Sequence, residues 1–246
     1  MRRELTVNGL PVTASFADED VEGALLPLLR DIARSDAARR ACDDGSGRTV
    51  VLLAAPPGSG KSTLAALLEG LSHEAGLVPL CSAGMDGFHF PNAYLDAHGL
   101  RSVKGAPETF DVAALTKKLA ETRHAAGTVL WPSYSRVAHD VVPDSLAVTG
   151  EVVLVEGNYL LLDEPRWRDL RRWADLTVFL RADEGLLRER LVARKVAGGM
   201  ARPDAEAFYE ASDGLNVRRV LARSLPADVT LLLSADGRLR LAAEPR

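Results

Sequence analysis

The sequence predicts an α/β protein with a mostly parallel central sheet. Three observations carry that expectation: apolar runs alternate with amphipathic segments along the chain, one run shows no polar alternation at all, and no repeat or low-complexity linker interrupts the pattern. Leu5–Phe16 holds short β-type runs about Asn8-Gly9, a dipeptide suited to a tight hairpin. Asp18–Arg40 then reads as a helix with Leu25, Leu28, Leu29 and Ile32 on one face, and Asp43–Gly47 as a loop. Thr49–Ala54 is the run without alternation, as expected of a parallel strand covered on both faces. The following helix places Leu64, Leu67, Leu68 and Leu71 at i, i+3, i+4 and i+7 and ends near Gly76. The alternation continues with a strand over Leu77–Met85, a helix over Asp111–Ala125, a strand over Glu151–Val155, a helix over Arg166–Trp173 and a strand over Leu176–Leu180. Glu184–Val196 and Pro203–Arg223 read as helices parted by Gly198-Gly199, and Val229–Leu241 as a hairpin about Asp236-Gly237. The expected architecture is one domain over residues 1–246, with a five-stranded sheet: an N-terminal hairpin and helix (1–47), a core (48–183), a helical lid with its following helix (184–223) and a C-terminal hairpin (224–246).

A chain of 246 residues with 47% hydrophobic and 26% charged residues has the composition of an ordinary packed protein. Its net charge of −4 supplies no global attraction for nucleic acid or an anionic membrane, and the basic stretch Arg166–Arg172 reads as a solvated helix face. Cys42 and Cys81 lie far apart without metal-ligand spacing, which argues against a disulfide framework or a zinc site and for a reducing compartment. No apolar stretch approaches the roughly 20 residues of a membrane span. A soluble cytoplasmic protein is expected; the oligomeric state is not legible in the sequence, and a homodimer is left open.

Between the first buried strand and its helix stands Ala55-Pro56-Pro57-Gly58-Ser59-Gly60-Lys61-Ser62-Thr63, the P-loop spacing with alanine at the first glycine position. Gly58 and Gly60 let the backbone approach phosphate oxygens, while successive N–H groups and the helix N-terminus supply partial positive charge. Gly58, Ser59, Gly60, Lys61, Ser62 and Thr63 are therefore the expected nucleotide-binding residues, with Lys61 reaching the β- and γ-phosphates and the Ser62 hydroxyl ligating Mg2+; that the nucleotide is ATP rests on the resemblance described below. The fold this implies is that of the P-loop NTPases.

Ligands of open α/β sheets gather at the carboxyl ends of strands, and two such ends carry acids, Asp86 and Glu156. Phosphoryl transfer to an alcohol needs a carboxylate placed to take the hydroxyl proton and a second acid to help hold Mg2+. Asp86 is the candidate base, with Gly87 leaving room for an acceptor or for a sharp exit from the sheet. The bland alternatives are that Asp86 caps the short helix beginning near Asn92 and that Glu156 pairs with a helix cation.

Gly58–Ser62, Asp86-Gly87-Phe88-His89, Lys104–Asp111, Pro132–Arg136 and Glu156–Leu160 together resemble the superfamily of uridine kinase, phosphoribulokinase and bacterial pantothenate kinase, over about Thr49–Leu221. Within it the chain looks closest to the fructose-kinase-like, or nucleoside/nucleotide-kinase-like, branch. The resemblance implies a catalytic aspartate at Asp86 and an acidic Mg2+-linked residue at Glu156. Tyr134 and His139 look like a tyrosine and histidine that contact the base in uridine-cytidine kinases, whereas Ser135 is nearer the pantothenate kinase pattern. Phe88, His89, Tyr94, Phe110 and Tyr134 are candidate walls of a polar pocket, although each aromatic taken singly reads first as core.

The candidate acceptor-contacting set is Asp86, His89, Lys104, Tyr134, Arg136 and His139, with a packed core position as the alternative for His89. Arg190 and Arg194, four apart on one helix face, resemble lid arginines that neutralise the moving phosphoryl group, against a solvated basic face as the alternative. Asn216 resembles an asparagine recurring at that place in the superfamily, with no role derived. The expected activity is ATP- and Mg2+-dependent transfer of the γ-phosphoryl group to a hydroxyl of a small polar metabolite, a nucleoside or a sugar. A pantothenate-kinase-like activity, a regulatory ATPase without a small acceptor and a nucleotide-binding module that has lost catalysis are the alternatives. No nucleic-acid or membrane partner is expected.

Overall fold

The computed structural model describes residues 1–7, 9–42 and 47–243. Asn8, and residues 43–46 of the expected Asp43–Gly47 loop, lie outside the described residues. The N-terminal strands β1 (Arg2–Val7) and β2 (Leu10–Ser15) pair antiparallel, with Arg2 opposite Ser15 and Val7 opposite Leu10. A helical stretch then runs over 18–42, passing through a π-turn at Val21–Leu25.

The main sheet is built from β3 (Thr49–Ala54), β4 (Leu80–Gly84), β7 (Val152–Gly157), β8 (Leu176–Ala182), β9 (Val229–Leu233) and β10 (Leu239–Leu241), in the spatial order β10-β9-β8-β3-β7-β4. Five of these strands run parallel and β10 returns antiparallel to β9. The C-terminal hairpin is thus not an appendage, because its first strand is the fifth parallel strand. Strands β3 and β7 are buried along their whole length, which is why their sequences show no polar alternation.

Successive residues of β3 face opposite cores. Val51 and Leu53 pack under the helices Lys61–Glu74 and Glu184–Ala197, while Val50, Leu52 and Ala54 pack toward Leu115, Trp131 and Tyr159 on the other face. Each such fully buried aliphatic side chain contributes about 1.5–3 kcal/mol.

Two expectations are corrected: the main sheet has six strands rather than five, and one expected helix does not form. Arg166–Trp173 is not a regular helix. Pro165 precedes Arg166, whose φ of 71° lies in the left-handed region, and only a 3-10 stretch, Arg168–Trp173, forms. A second antiparallel pair forms beside the main sheet, β5 (Val129–Ser135) with β6 (Asp140–Val148). Pro143 and the left-handed Asp144, at φ 47°, put turn chemistry in the middle of β6 and hide it in the sequence. The expected 203–223 helix forms as Arg202–Phe208, a π-turn at Tyr209–Asp213 and Gly214–Arg223. Among the described residues, no helix is long and apolar enough to cross a membrane.

Candidate active site

The strand ends of β3, β7 and β4 stand side by side, so the loop after β3, Glu156 near the end of β7 and the turn after β4 meet at one edge of the sheet. After β3 the chain passes through Gly58 and Gly60, at φ 82° and 86°. Gly60 is the left-handed N-cap of the helix Lys61–Glu74, and a Cβ on Gly58 would sit 2.9 Å from Cγ of Leu191. Free N–H groups at this helix start face a 340 Å³ cavity lined by Gly58, Gly60, Lys61, Ser62 and Thr63. Arg190 and Arg194 enter it from the helix Glu184–Ala197, and Arg136 from the end of the β5–β6 pair. Arg190 donates to the Ser59 carbonyl at 3.4 Å. The Ser59 hydroxyl is buried and unpartnered among the described residues.

Glu156 is 5% exposed. Its Oε1 accepts from the Ser62 hydroxyl at 2.7 Å, and Lys61 Nζ lies 4.0 Å from Oε2. Burial pushes its carboxyl above the usual range, while Lys61 draws it the other way. A lysine, a hydroxyl and a carboxylate thus converge at the base of the phosphate cavity.

Asp86 sits on the 3-10 turn Met85–Phe88 that follows β4, half-buried. The capping alternative fails, because Pro91 holds the N-cap position of the helix Asn92–Ala97 and the Asn92 N–H donates to the Asp140 carboxylate at 3.1 Å. Among the described residues the Asp86 carboxylate makes no hydrogen bond or ion pair, and it lines a 520 Å³ cavity together with Glu156, Ser62, Tyr134 and Ser135. Ser62 belongs to the walls of both cavities, so the phosphate cradle and the Asp86 chamber form one crevice with a shared partition.

Gly87 lines this chamber and also has a reason not expected from the sequence. A Cβ there would lie 2.2 Å from the Pro132 carbonyl oxygen, so the Asp86 turn packs backbone to backbone against β5.

The remaining sequence candidates fall outside both linings. The neutral His89 ring donates Nδ1–H to the Asp86 carbonyl at 2.8 Å and lies 3.8 Å, centroid to centroid, from Phe110. Burial lowers its pKa against the opposing pull of Asp86. Lys104 donates to Asn92 Oδ1 at 2.6 Å and to the His139 carbonyl at 2.8 Å, with its ammonium 4.8 Å from the Tyr134 ring centroid. His139 is exposed, at φ 50°, and contributes that carbonyl. Asn216 is 8% exposed within Gly214–Arg223. The loop 104–111 is pinned from below, where the buried Tyr159 hydroxyl donates to the Gly105 carbonyl at 2.6 Å.

Two parts of the crevice were missed in the sequence. The first is the N-terminal hairpin: Thr6, Val7 and Gly9 line the Asp86 chamber, and Val7, Leu10 and Val12 line the phosphate cavity. Nothing in its alternating pattern announces that position. The second is Glu69, whose signal was legible: Ser62, Ala65, Ala66 and Glu69 fall at i, i+3, i+4 and i+7, one face of the helix, and all four line the chamber.

No family model matches the sequence. The uncharacterized protein YggC of Escherichia coli K12 is 46% identical over 239 residues, covering 97% of this chain and 98% of that protein. A Schizosaccharomyces pombe protein provisionally named as a uridine kinase, C227.14, is 31% identical over 199 residues, 75% of this chain and 83% of its own length. The chain belongs to the superfamily of uridine kinase, phosphoribulokinase and bacterial pantothenate kinase. A crystal structure from Silicibacter sp. TM1040, provisionally named as a fructose transport system kinase, superposes with a TM-score of 0.74 at 35% identity, covering 82% of this chain and 98% of that one. Members of this superfamily are P-loop kinases.

Proposed function

We propose that this protein transfers the γ-phosphoryl group of ATP to a hydroxyl of a small polar metabolite of the nucleoside or sugar class. One observation carries the reading: the unengaged Asp86 carboxylate opens into a chamber that shares the Ser62 wall with the phosphate cradle. An acceptor hydroxyl in that chamber stands between the carboxylate and the terminal phosphate. Asp86 takes the hydroxyl proton, the acceptor oxygen bonds to the γ-phosphorus, and the bond to the β–γ bridging oxygen breaks, leaving ADP.

Loop amides and Lys61 hold the phosphates, and Arg190 and Arg194 neutralise the equatorial oxygens from a helix that acts as a lid. Ser62 and Glu156 offer hard oxygen donors 2.7 Å apart, a set that suits Mg2+ completed by nucleotide phosphates and water. Bound there, the ion would neutralise charge on the β- and γ-phosphates. The two free thiols, Cys42 and Cys81, suit a reducing cytoplasm.

The test is a coupled ADP-release screen over sugars, nucleosides and pantothenate, followed by mass detection of the product. Acceptor-dependent ADP release with a product heavier by one phosphoryl group is expected. ATP hydrolysis that responds to a protein partner and to no small alcohol would overturn the reading in favour of a regulatory ATPase.

A further inference from the structure

The Asp86 chamber extends well beyond the phosphate partition. It runs along the outer edge of the sheet, where β4 is the last strand, between the helix Lys61–Glu74 and the β5–β6 pair. Ala65 and Ala66 keep the helix wall low. At the far end stands Glu69, whose Oε2 accepts from the Ser82 N–H at 3.1 Å and from the Ser82 hydroxyl at 2.6 Å. Its Oε1 has no hydrogen-bond partner among the described residues, and the residue lines the chamber. Ser82 precedes Asp86 by four residues, which at the rise of a strand and a turn separates the two carboxylates by on the order of 10 Å. An acceptor touching both is longer than a three-carbon unit.

The chamber lining also has a marked chemical bias. Its described residues include the acids Glu69, Asp86 and Glu156 and a set of hydroxyls, among them Ser82, Ser133, Tyr134 and Ser145, and no lysine, arginine or histidine. Three cations close to the lining have other occupations. Lys61 and Arg136 line the phosphate cavity, and the Lys104 ammonium is held by Asn92 and the His139 carbonyl. A carboxylate or phosphate on the acceptor would lose its hydration beside like charges with no cation to replace it. Hydroxyl, amide or ammonium groups would instead find acceptors already fixed in place.

We infer that Glu69, tethered by Ser82, is the distal selectivity group of the acceptor chamber, admitting uncharged or amine-bearing polyhydroxyl acceptors and excluding acidic ones. This rests on the proposed kinase reading and narrows it: an unphosphorylated, non-acidic acceptor fits, whereas a pantothenate-like or sugar-acid acceptor does not. Glu69 acts by charge and hydrogen bonding at the end of the acceptor remote from the reacting hydroxyl, so its removal alters acceptor affinity and not the chemical step.

The test measures acceptor binding by calorimetry on the full chain with Mg2+ and a non-hydrolysable ATP analogue, so that turnover is not required. The probes are matched sets of neutral nucleosides and hexoses, amino sugars, and sugar acids with pantothenate. The wild-type protein should bind the neutral and amino members at least about tenfold more tightly than the acids. Glu69→Gln should erase most of that discrimination, and Glu69→Asp should restore part of it. Ser82→Ala, which keeps the charge and the backbone N–H tether but removes the hydroxyl one, should weaken neutral acceptors while still excluding acids. Thermal unfolding confirms that each variant is folded.

Acidic acceptors binding as well as neutral ones, or discrimination unchanged in a folded Glu69→Gln protein, would overturn the inference even if phosphoryl transfer is observed. The predicted binding order without phosphoryl transfer to any probe would sustain the charge selection and count against the kinase reading alone.

Discussion

Gly87→Ala tests how the candidate base is held. A Cβ at position 87 would lie 2.2 Å from the Pro132 carbonyl oxygen, 2.5 Å from its carbon and 3.0 Å from the Ser133 nitrogen. All three are backbone atoms of β5, so no side chain can swing aside. Restoring ordinary contact requires the Asp86 turn and β5 to separate by about 1 Å, and overpacking of this kind costs about 1–3 kcal/mol. For a chain of this size each kcal/mol lowers Tm by about 2–4 °C, so a fall of roughly 2–12 °C is expected.

The displaced turn carries Asp86, and a misplacement near 1 Å at a catalytic group costs on the order of 100-fold in kcat. Calorimetric unfolding and ADP-release kinetics read the two effects separately, and nucleotide affinity should be unchanged because the phosphate loop is not involved. Gly70→Ala is the control. It lies within the helix Lys61–Glu74 with nothing within 4 Å of the added methyl, and it should stabilise by about 0.5–1 kcal/mol. A Gly87→Ala protein with wild-type Tm and kcat would refute the close-packing argument.

Two further outcomes follow from the same geometry. His89 is held neutral by burial, with its folded pKa below the ordinary value near 6.5, so the stability it contributes is present above that value and is lost as pH falls toward the folded pKa. Denaturant titrations of the wild-type protein between about pH 7 and 5 should show this loss, and His89→Gln should flatten the slope; identical slopes would remove His89 as the cause. Val7 lines both cavities and Leu10 only the phosphate cavity, so Val7→Asp should raise KM for both substrates severalfold and Leu10→Asp for the nucleotide alone. Equal effects of the two substitutions would contradict the position of the hairpin.

The parts of this molecule governed by short-range rules could be read in the sequence. The unalternating Thr49–Ala54 run and the glycines of the phosphate loop each answer to a local requirement: burial on both faces, and backbone conformations at positive φ. Asp86 and Glu156 could be placed because the ends of parallel strands converge wherever such a sheet forms.

What escaped notice depends on partners distant in the chain. The backbone approach at Gly87 spans some 45 residues of sequence, and only the fold brings the N-terminal hairpin over a crevice made by residues 58–156. The β6 strand was hidden by Pro143 and Asp144, local turn formers overridden by pairing with β5. His139 shows the reverse: an imidazole suited to recognising a ligand lies at an exposed left-handed turn that uses its carbonyl.

The central claim is that the Asp86 carboxylate takes the acceptor proton beside a phosphate cradle that functions without it. Paired measurements on Asp86→Asn, single-turnover phosphoryl transfer and equilibrium binding of Mg2+-ATP, test it most directly. The account predicts transfer slowed by about 100- to 10,000-fold with nucleotide affinity within a factor of about two of wild type. Near-normal transfer, or nucleotide affinity lost while transfer persists, would contradict it.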